Sequence, residues 1–101
     1  MNKFHVVIDD FNTNFPADNS ILSLTGISKI VISNINLNRT TVMLQLIGVD
    51  FKKNETRILQ PEQNGMIIQL DYPRKWDKII FLRDPISEGE ASFNLELISR
   101  Y

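Results

Sequence analysis

The chain of 101 residues contains no cysteine and only one histidine, His5. Without cysteine there is no disulfide framework, no thiolate nucleophile and no cysteine-ligated metal. A zinc site or a Ser-His-Asp triad would need His5, which lies among apolar neighbours, and no serine has a nucleophile-elbow context. We therefore expect a structural or surface role for His5, and a protein that is not an enzyme and holds no metal or other cofactor.

Glycine is also scarce, since the chain has four glycines and none are grouped into a phosphate-binding loop. The paired carboxylates, Asp9-Asp10 and Glu88 with Glu90, lie in turn-like stretches. No apolar run surrounds them that would raise a carboxyl pKa for general acid catalysis. These two observations agree with the expectation of a non-enzymatic protein.

Long hydrophobic runs and concentrated charge are absent as well. No run approaches the ~20 apolar residues of a membrane span, and only five residues separate Lys3 from Asp9, too few for a secretory signal. The net charge is -1, and the pairs Lys52-Lys53 and Arg74-Lys75 have acids nearby. Nucleic acid binding needs a concentrated basic face. We expect no membrane span, no nucleic acid partner and, in the absence of a secretory signal, a cytoplasmic protein.

What the chain does have is β-sheet composition, with fourteen isoleucines against two alanines. The strongest pattern runs from Ile27 to Phe51 as two β-patterned runs, which we predict to form a hairpin hinged at Asn38-Arg39. In the first run the buried face changes near Ser33-Asn34, which predicts a β-bulge. In the second run two faces alternate, with Val42, Leu44 and Leu46 on one and Met43, Gln45 and Ile47 on the other.

Further strands are predicted along the whole chain, and they bring the total to about eight. No stretch has a helical period long enough for a crossover between parallel strands. Residues 1–101 are therefore predicted to form one antiparallel β-sandwich domain with Leu44, Leu46, Phe93 and Leu95 in its core. Jelly-roll and immunoglobulin-like topologies both fit, and the lack of cysteine and of a central-strand Trp favours the jelly roll. The other predicted strands are Phe4–Ile8, Ile21–Leu24, Arg57–Gln60, Met66–Tyr72, Lys78–Arg83 and Ala91–Tyr101, with a charged turn over Lys52–Arg57.

The segment between the first two predicted strands is the longest irregular stretch, Phe11–Ser20, and Phe11 and Phe15 are predicted to anchor it from beneath. Carboxylate and amide oxygens of this kind build calcium sites in loops. The helix-flanked calcium loop is not matched, and such side chains also bond their own backbone in turns. We favour the turn interpretation and leave calcium binding open. The oxygen-bearing residues are Asp9, Asp10, Asn12, Asn14, Asp18 and Asn19.

A second candidate site is the aromatic and basic loop that contains Tyr72, Arg74, Lys75 and Trp76. A partly exposed Trp beside charges can stack on a sugar or anchor a protein partner. The alternative is that Trp76 packs against the edge of the core.

A third candidate is an interface made by apolar residues on the outward parity of their strands, Met43, Ile47 and Ile98. A lone two-sheet sandwich covers one face of each sheet, so we expect some of these side chains to be exposed in the monomer. Exposed clusters of apolar side chains mark interfaces, and symmetric association would bury them. The pattern predicts a structural subunit that forms a symmetric homo-oligomer.

The whole strand pattern, beginning at Phe4 with seven more strands by Tyr101 and no secretion signal, resembles the small single jelly-roll virion proteins. Penton and minor capsid proteins of tailless bacteriophages are examples. The resemblance implies a structural role at capsid vertices, a location in the virion, pentameric assembly and contacts with neighbouring structural proteins. The alternative function is a small β-sandwich binding module for a glycan or protein partner, with the loop around Trp76 as its site.

Overall fold

A computed structural model describes residues 2–17, 21–48, 53–60, 65–70, 76–86 and 88–100, with the backbone alone for Asn2. These residues contain nine β-strands and no helix, which confirms the prediction of an all-β fold. It follows that no described segment is a helix long and apolar enough to cross a membrane. The strands are β1 (Asn2–Ile8), β2 (Asn14–Phe15), β3 (Leu22–Ser23), β4 (Ile27–Asn38), β5 (Val42–Ile47), β6 (Asn54–Ile58), β7 (Met66–Gln69), β8 (Lys78–Arg83) and β9 (Glu90–Ser99).

The strands form two antiparallel sheets packed face to face. Sheet A has the order β1-β9-β4-β7, and sheet B has the order β2-β8-β5-β6. The short β3 also belongs to sheet B, because it pairs with β8 along the same edge as β2. The predicted antiparallel sandwich is confirmed. Alternating strands require this arrangement, since each sheet buries its apolar face against the other.

The predicted hairpin at Asn38-Arg39 is wrong. β4 lies in sheet A and β5 in sheet B, so the chain turns a corner between the sheets at this point. Arg39 has a positive φ of 57°, and the Thr40 hydroxyl donates its one proton to the carbonyl of Glu88, with the carbonyl of Asn38 also within hydrogen-bond distance. These contacts hold the corner closed. Two adjacent β-patterned runs do not reveal whether the strands pair or pack.

The predicted bulge in β4 is confirmed. The register of β4 against β9 shifts between Ser33 and Asn36, and Asn34 has a positive φ of 51°. The extra residue changes the parity of burial, so that Ile32 and Ile35 both face the core. β4 therefore stays buried on one side along its twelve residues.

The core lies between the sheets, and its centre is aromatic. Phe15 packs edge-on against Phe4 with ring centroids 5.5 Å apart, and Phe81 lies 4.8 Å from Phe93 across the sandwich. The predicted core residues Leu44, Leu46, Phe93 and Leu95 are all fully buried. Each such side chain contributes roughly 1.5–3 kcal/mol relative to an exposed one.

Two local predictions are wrong near the edges. β6 begins at Asn54, inside the predicted charged turn. The charged side chains that point inward from β6 are accommodated because Arg57 forms an ion pair with Glu55 at 3.3 Å and both remain partly exposed at the edge of sheet B. Inward charges of this kind also protect a sheet edge. Phe11 does not anchor its loop from beneath but is 93% exposed, whereas Phe15 packs against the core.

Candidate functional site

Trp76 is not partly exposed as predicted, since 7% of its surface is accessible and it belongs to the core. Its neighbour explains this placement. The amide of Asp77 donates to the carbonyl of Ile47 at 2.8 Å, and the carbonyl of Asp77 accepts from Leu24 at 2.7 Å. Residues 76 and 77 precede β8, so strand alternation does not set the direction of the Trp side chain. The other predicted binding residues, Tyr72, Arg74 and Lys75, lie outside the described residues.

The three predicted interface residues do not come together. Met43 and Ile47 lie on the outer face of sheet B, whereas Ile98 pairs with Lys29 on the outer face of sheet A. Met43 and Ile98 are half-buried. Ile47 is only 5% exposed within the isolated chain, so it is not among the outward residues that offer exposed contact area.

Sheet B nevertheless carries apolar side chains on both of its faces. Directly opposed residues of antiparallel strands share a face, and Met43 stands opposite Leu82 on β8 and Ile58 on β6. Ile47 and Ile80 lie on the same outer side and are buried without joining the core between the sheets. We call these five residues the apolar face, and Met43, Ile58 and Leu82 supply its accessible part.

The outer face of sheet A combines polar groups with the apolar side chains of Val7, Val31, Ile67 and Ile98. The Nζ atom of Lys3 lies 3.9 Å from Oε2 of Glu96, and the Nδ1 atom of His5 lies 2.9 Å from Oδ1 of Asn94. His5 is exposed, so it lies at the surface as expected. Ile67, on the edge strand β7, is 63% exposed on this face.

The Asp- and Asn-rich loop after β1 folds as a turn that bonds its own backbone. The Oδ1 atom of Asp9 accepts from the amides of Phe11 and Asn12 at 2.8 Å each. These bonds, with that of Asn12 first, hold the pKa of Asp9 below its usual value. The side-chain amide of Asn14 donates to the carbonyl of Pro16. The favoured turn interpretation is confirmed for these residues.

Within the described residues no group of three or more His, Asp or Glu side chains is placed to hold a metal ion. Two of the oxygen-bearing residues, Asp18 and Asn19, lie outside the described part of the chain. No calcium site is assigned.

Arg83, at the end of β8, ties this loop to the turn that precedes β9. Its side chain is 6% exposed and its Nη1 atom lies 2.6 Å from Oδ1 of Asp10. Its amide donates to the carbonyl of Thr13, and the amide of Asp84 donates to Thr41. The loop after β1, the turn after β8 and the corner between β4 and β5 therefore meet at one end of the sandwich.

Two large apolar side chains project from this end. Phe11 is 93% exposed and Ile86 is 88% exposed, the highest values among the described large hydrophobic residues. We call Phe11 and Ile86 the apolar tips. Sequence reasoning missed them because an isolated apolar residue in a loop has no periodic neighbours to show which way it points.

A shallow groove lies at the same end, against β6. It has a volume of about 350 Å³ and is lined by residues that include Leu37, Arg39, Ile58 and Leu59. Of these lining residues Leu59 is buried, and Ile58, which also belongs to the apolar face, is 51% exposed. We call this the β6 groove.

Comparisons with protein-family models, with curated proteins and with solved structures found no match to the chain. The residues and the geometry alone therefore carry the functional proposals.

Proposed function

We propose that this protein is a non-enzymatic structural subunit that packs against further copies of itself in a symmetric assembly. The observation that carries the proposal is the apolar face of sheet B. In an isolated sandwich each antiparallel sheet packs one face on the core and exposes the other to solvent, and the solvent-exposed face is usually polar. Sheet A mixes the two kinds of residue on its outer face, with Lys3 and Glu96 beside Val7, Ile67 and Ile98. Sheet B places Met43, Ile58 and Leu82 in one directly opposed row across three adjacent strands.

The physical reason is the cost of exposing apolar surface to water. Burial of such surface gains roughly 25 cal/mol per Å², and a connected patch across three strands marks an interaction surface. Closed symmetric association covers the same patch on every copy. The five residues lie on β5, β6 and β8, which are adjacent in sheet B.

The strand order supports a jelly-roll topology for this subunit. If β2 and β3 are counted as one interrupted strand, the described residues form eight strands. The first then pairs with the eighth, the second with the seventh, the third with the sixth and the fourth with the fifth. A long antiparallel ladder wrapped into two sheets has these pairings. They agree with the resemblance to small jelly-roll virion proteins, and we extend the proposal to a role as a penton or minor capsid protein in a virion.

The alternative function is a binding module centred on the Trp76 loop, and it required an accessible Trp76 side chain. Trp76 packs in the core, where its ring is not accessible to a sugar or a partner. No described feature favours this alternative.

Sedimentation velocity of matched variants tests the proposal. The double variant Met43→Ser, Leu82→Ser removes two partly exposed side chains from the apolar face. The control Val7→Ser, Ile67→Ser removes two exposed ones from sheet A. We expect the unmodified chain and the control to associate, and the apolar-face variant to associate at least tenfold more weakly. Equal association of all three folded proteins would refute the proposed interface.

A further inference from the structure

We propose that the apolar tips of one copy insert into the β6 groove of the next copy. This inference rests on the proposed function, because it names the contact through which copies assemble. The tips are Phe11 and Ile86, and the groove is bordered by Ile58 and Arg39.

The first argument is exposure. Phe11 and Ile86 are 93% and 88% exposed, whereas Ile67, the next highest among the described large hydrophobics, is 63% exposed. Aromatic side chains that enter a pocket dominate the energetics of protein interfaces. Phe11 thus has the chemistry of an anchor and no cover within the described part of its own chain.

The second argument is preorganisation. Asp9 accepts from the amide of Phe11 itself, and Asp84 accepts from the amide of Ile86 at 3.1 Å. The Arg83–Asp10 ion pair joins the two loops. Both tips are therefore held by bonds to their own backbone. Binding through an ordered loop avoids most of the entropy loss that a mobile one incurs.

The third argument is charge. The tips stand beside the carboxylates of Asp9 and Asp84, while the charge of the nearby Asp10 is offset by its ion pair with the buried Arg83. Arg39 borders the β6 groove, and no acid is among the lining residues that the structure describes, so this part of the groove is positively charged. Opposite potentials steer two surfaces together and disfavour wrong pairings.

The fourth argument is geometry. The loop that bears Phe11 leads into β2 at one edge of sheet B, and the groove lies against β6 at the other edge. Both lie at the same end of the sandwich, because Asp84 bonds to Thr41 beside β5 and Leu59 bonds to Val42. Copies joined in this way stand side by side with that end facing the same direction. Because the two surfaces differ, the contact is heterologous and repeats from copy to copy until it closes into a ring.

A mixing experiment tests the contact. The tip variant carries Phe11→Ser and Ile86→Ser, and the groove variant carries Ile58→Ser and Arg39→Glu. All four side chains are exposed, so circular dichroism and thermal unfolding should show intact folds. We expect each variant alone to associate at least tenfold more weakly than the unmodified chain in sedimentation velocity, with Met43 and Leu82 of the apolar face still in place. Mixed, the intact tips of one variant fill the intact groove of the other, so the mixture associates more strongly than either variant alone.

Two results would overturn this contact. The first is association of the tip variant as strong as that of the unmodified chain, and the second is a mixture that associates no more strongly than either variant alone. Ile67→Ser serves as the control for loss of an exposed isoleucine elsewhere. An unmodified chain that never associates would remove the proposed function as well. If the unmodified chain and the tip variant associate equally well, only the tip-and-groove contact is refuted.

Discussion

Replacement of Leu44 with alanine tests the packing of the two sheets. Leu44 is fully buried in the middle of β5, with Phe81 opposite it on β8. Loss of its buried methyl groups and the cavity left behind should cost roughly 2–5 kcal/mol. That is a large share of the ~5–15 kcal/mol by which a small domain is stable. At about 4–8 °C per kcal/mol, Tm should fall by at least ~8 °C.

Met43 is the matched control because it is the next residue on the same strand and points to the opposite face. It is partly exposed, so Met43→Ala removes less buried area and should cost roughly 1 kcal/mol or less. Urea unfolding of both variants, with unchanged dependence on urea concentration, gives the comparison directly. Equal costs, or a cost for Leu44→Ala under about 1 kcal/mol, would refute the assignment of faces.

Three further outcomes are expected. Gly89→Ala should destabilise the chain by more than about 1 kcal/mol, because Gly89 has a φ of 88° and a Cβ would lie 2.0 Å from the carbonyl oxygen of Asn38; urea unfolding at wild-type stability would contradict this. Trp76 should show blue-shifted fluorescence protected from iodide, since it is 7% exposed; strong quenching would place it outside the core. The bonds that hold the pKa of Asp9 low make its ionised form stabilising above its ordinary pKa, and this contribution is lost as pH falls through the lowered pKa. Between about pH 5 and pH 2 the Tm of the Asp9→Asn variant should therefore fall by less than the Tm of the unmodified chain. An equal fall in both proteins would show that ionised Asp9 contributes nothing to stability.

Local patterns predicted the features that depend on local periodicity. The alternation in β5 placed Leu44 and Leu46 in the core, and the change of parity in β4 located the bulge at Ser33-Asn34. β8 was predicted with its observed bounds, Lys78–Arg83. These features follow from the two-residue repeat of a strand, which a short run of consecutive residues displays.

The features that sequence missed depend on distant partners. The assignment of β4 and β5 to different sheets follows from the pairing of β4 with β9 and of β5 with β8, more than thirty residues away in the chain. Trp76 turns inward because Asp77 bonds to Ile47. Of the predicted interface, the outward parity of Met43 was right, but its neighbours Ile58 and Leu82 became visible only with the register.

The molar mass of the unmodified chain in solution tests the central claim most directly. Light scattering over a wide range of protein concentration would measure it. If the protein is an assembly subunit, the mass rises with concentration to a fixed multiple of 11.7 kDa. A mass that stays at 11.7 kDa at every concentration, for a folded chain, would contradict the account.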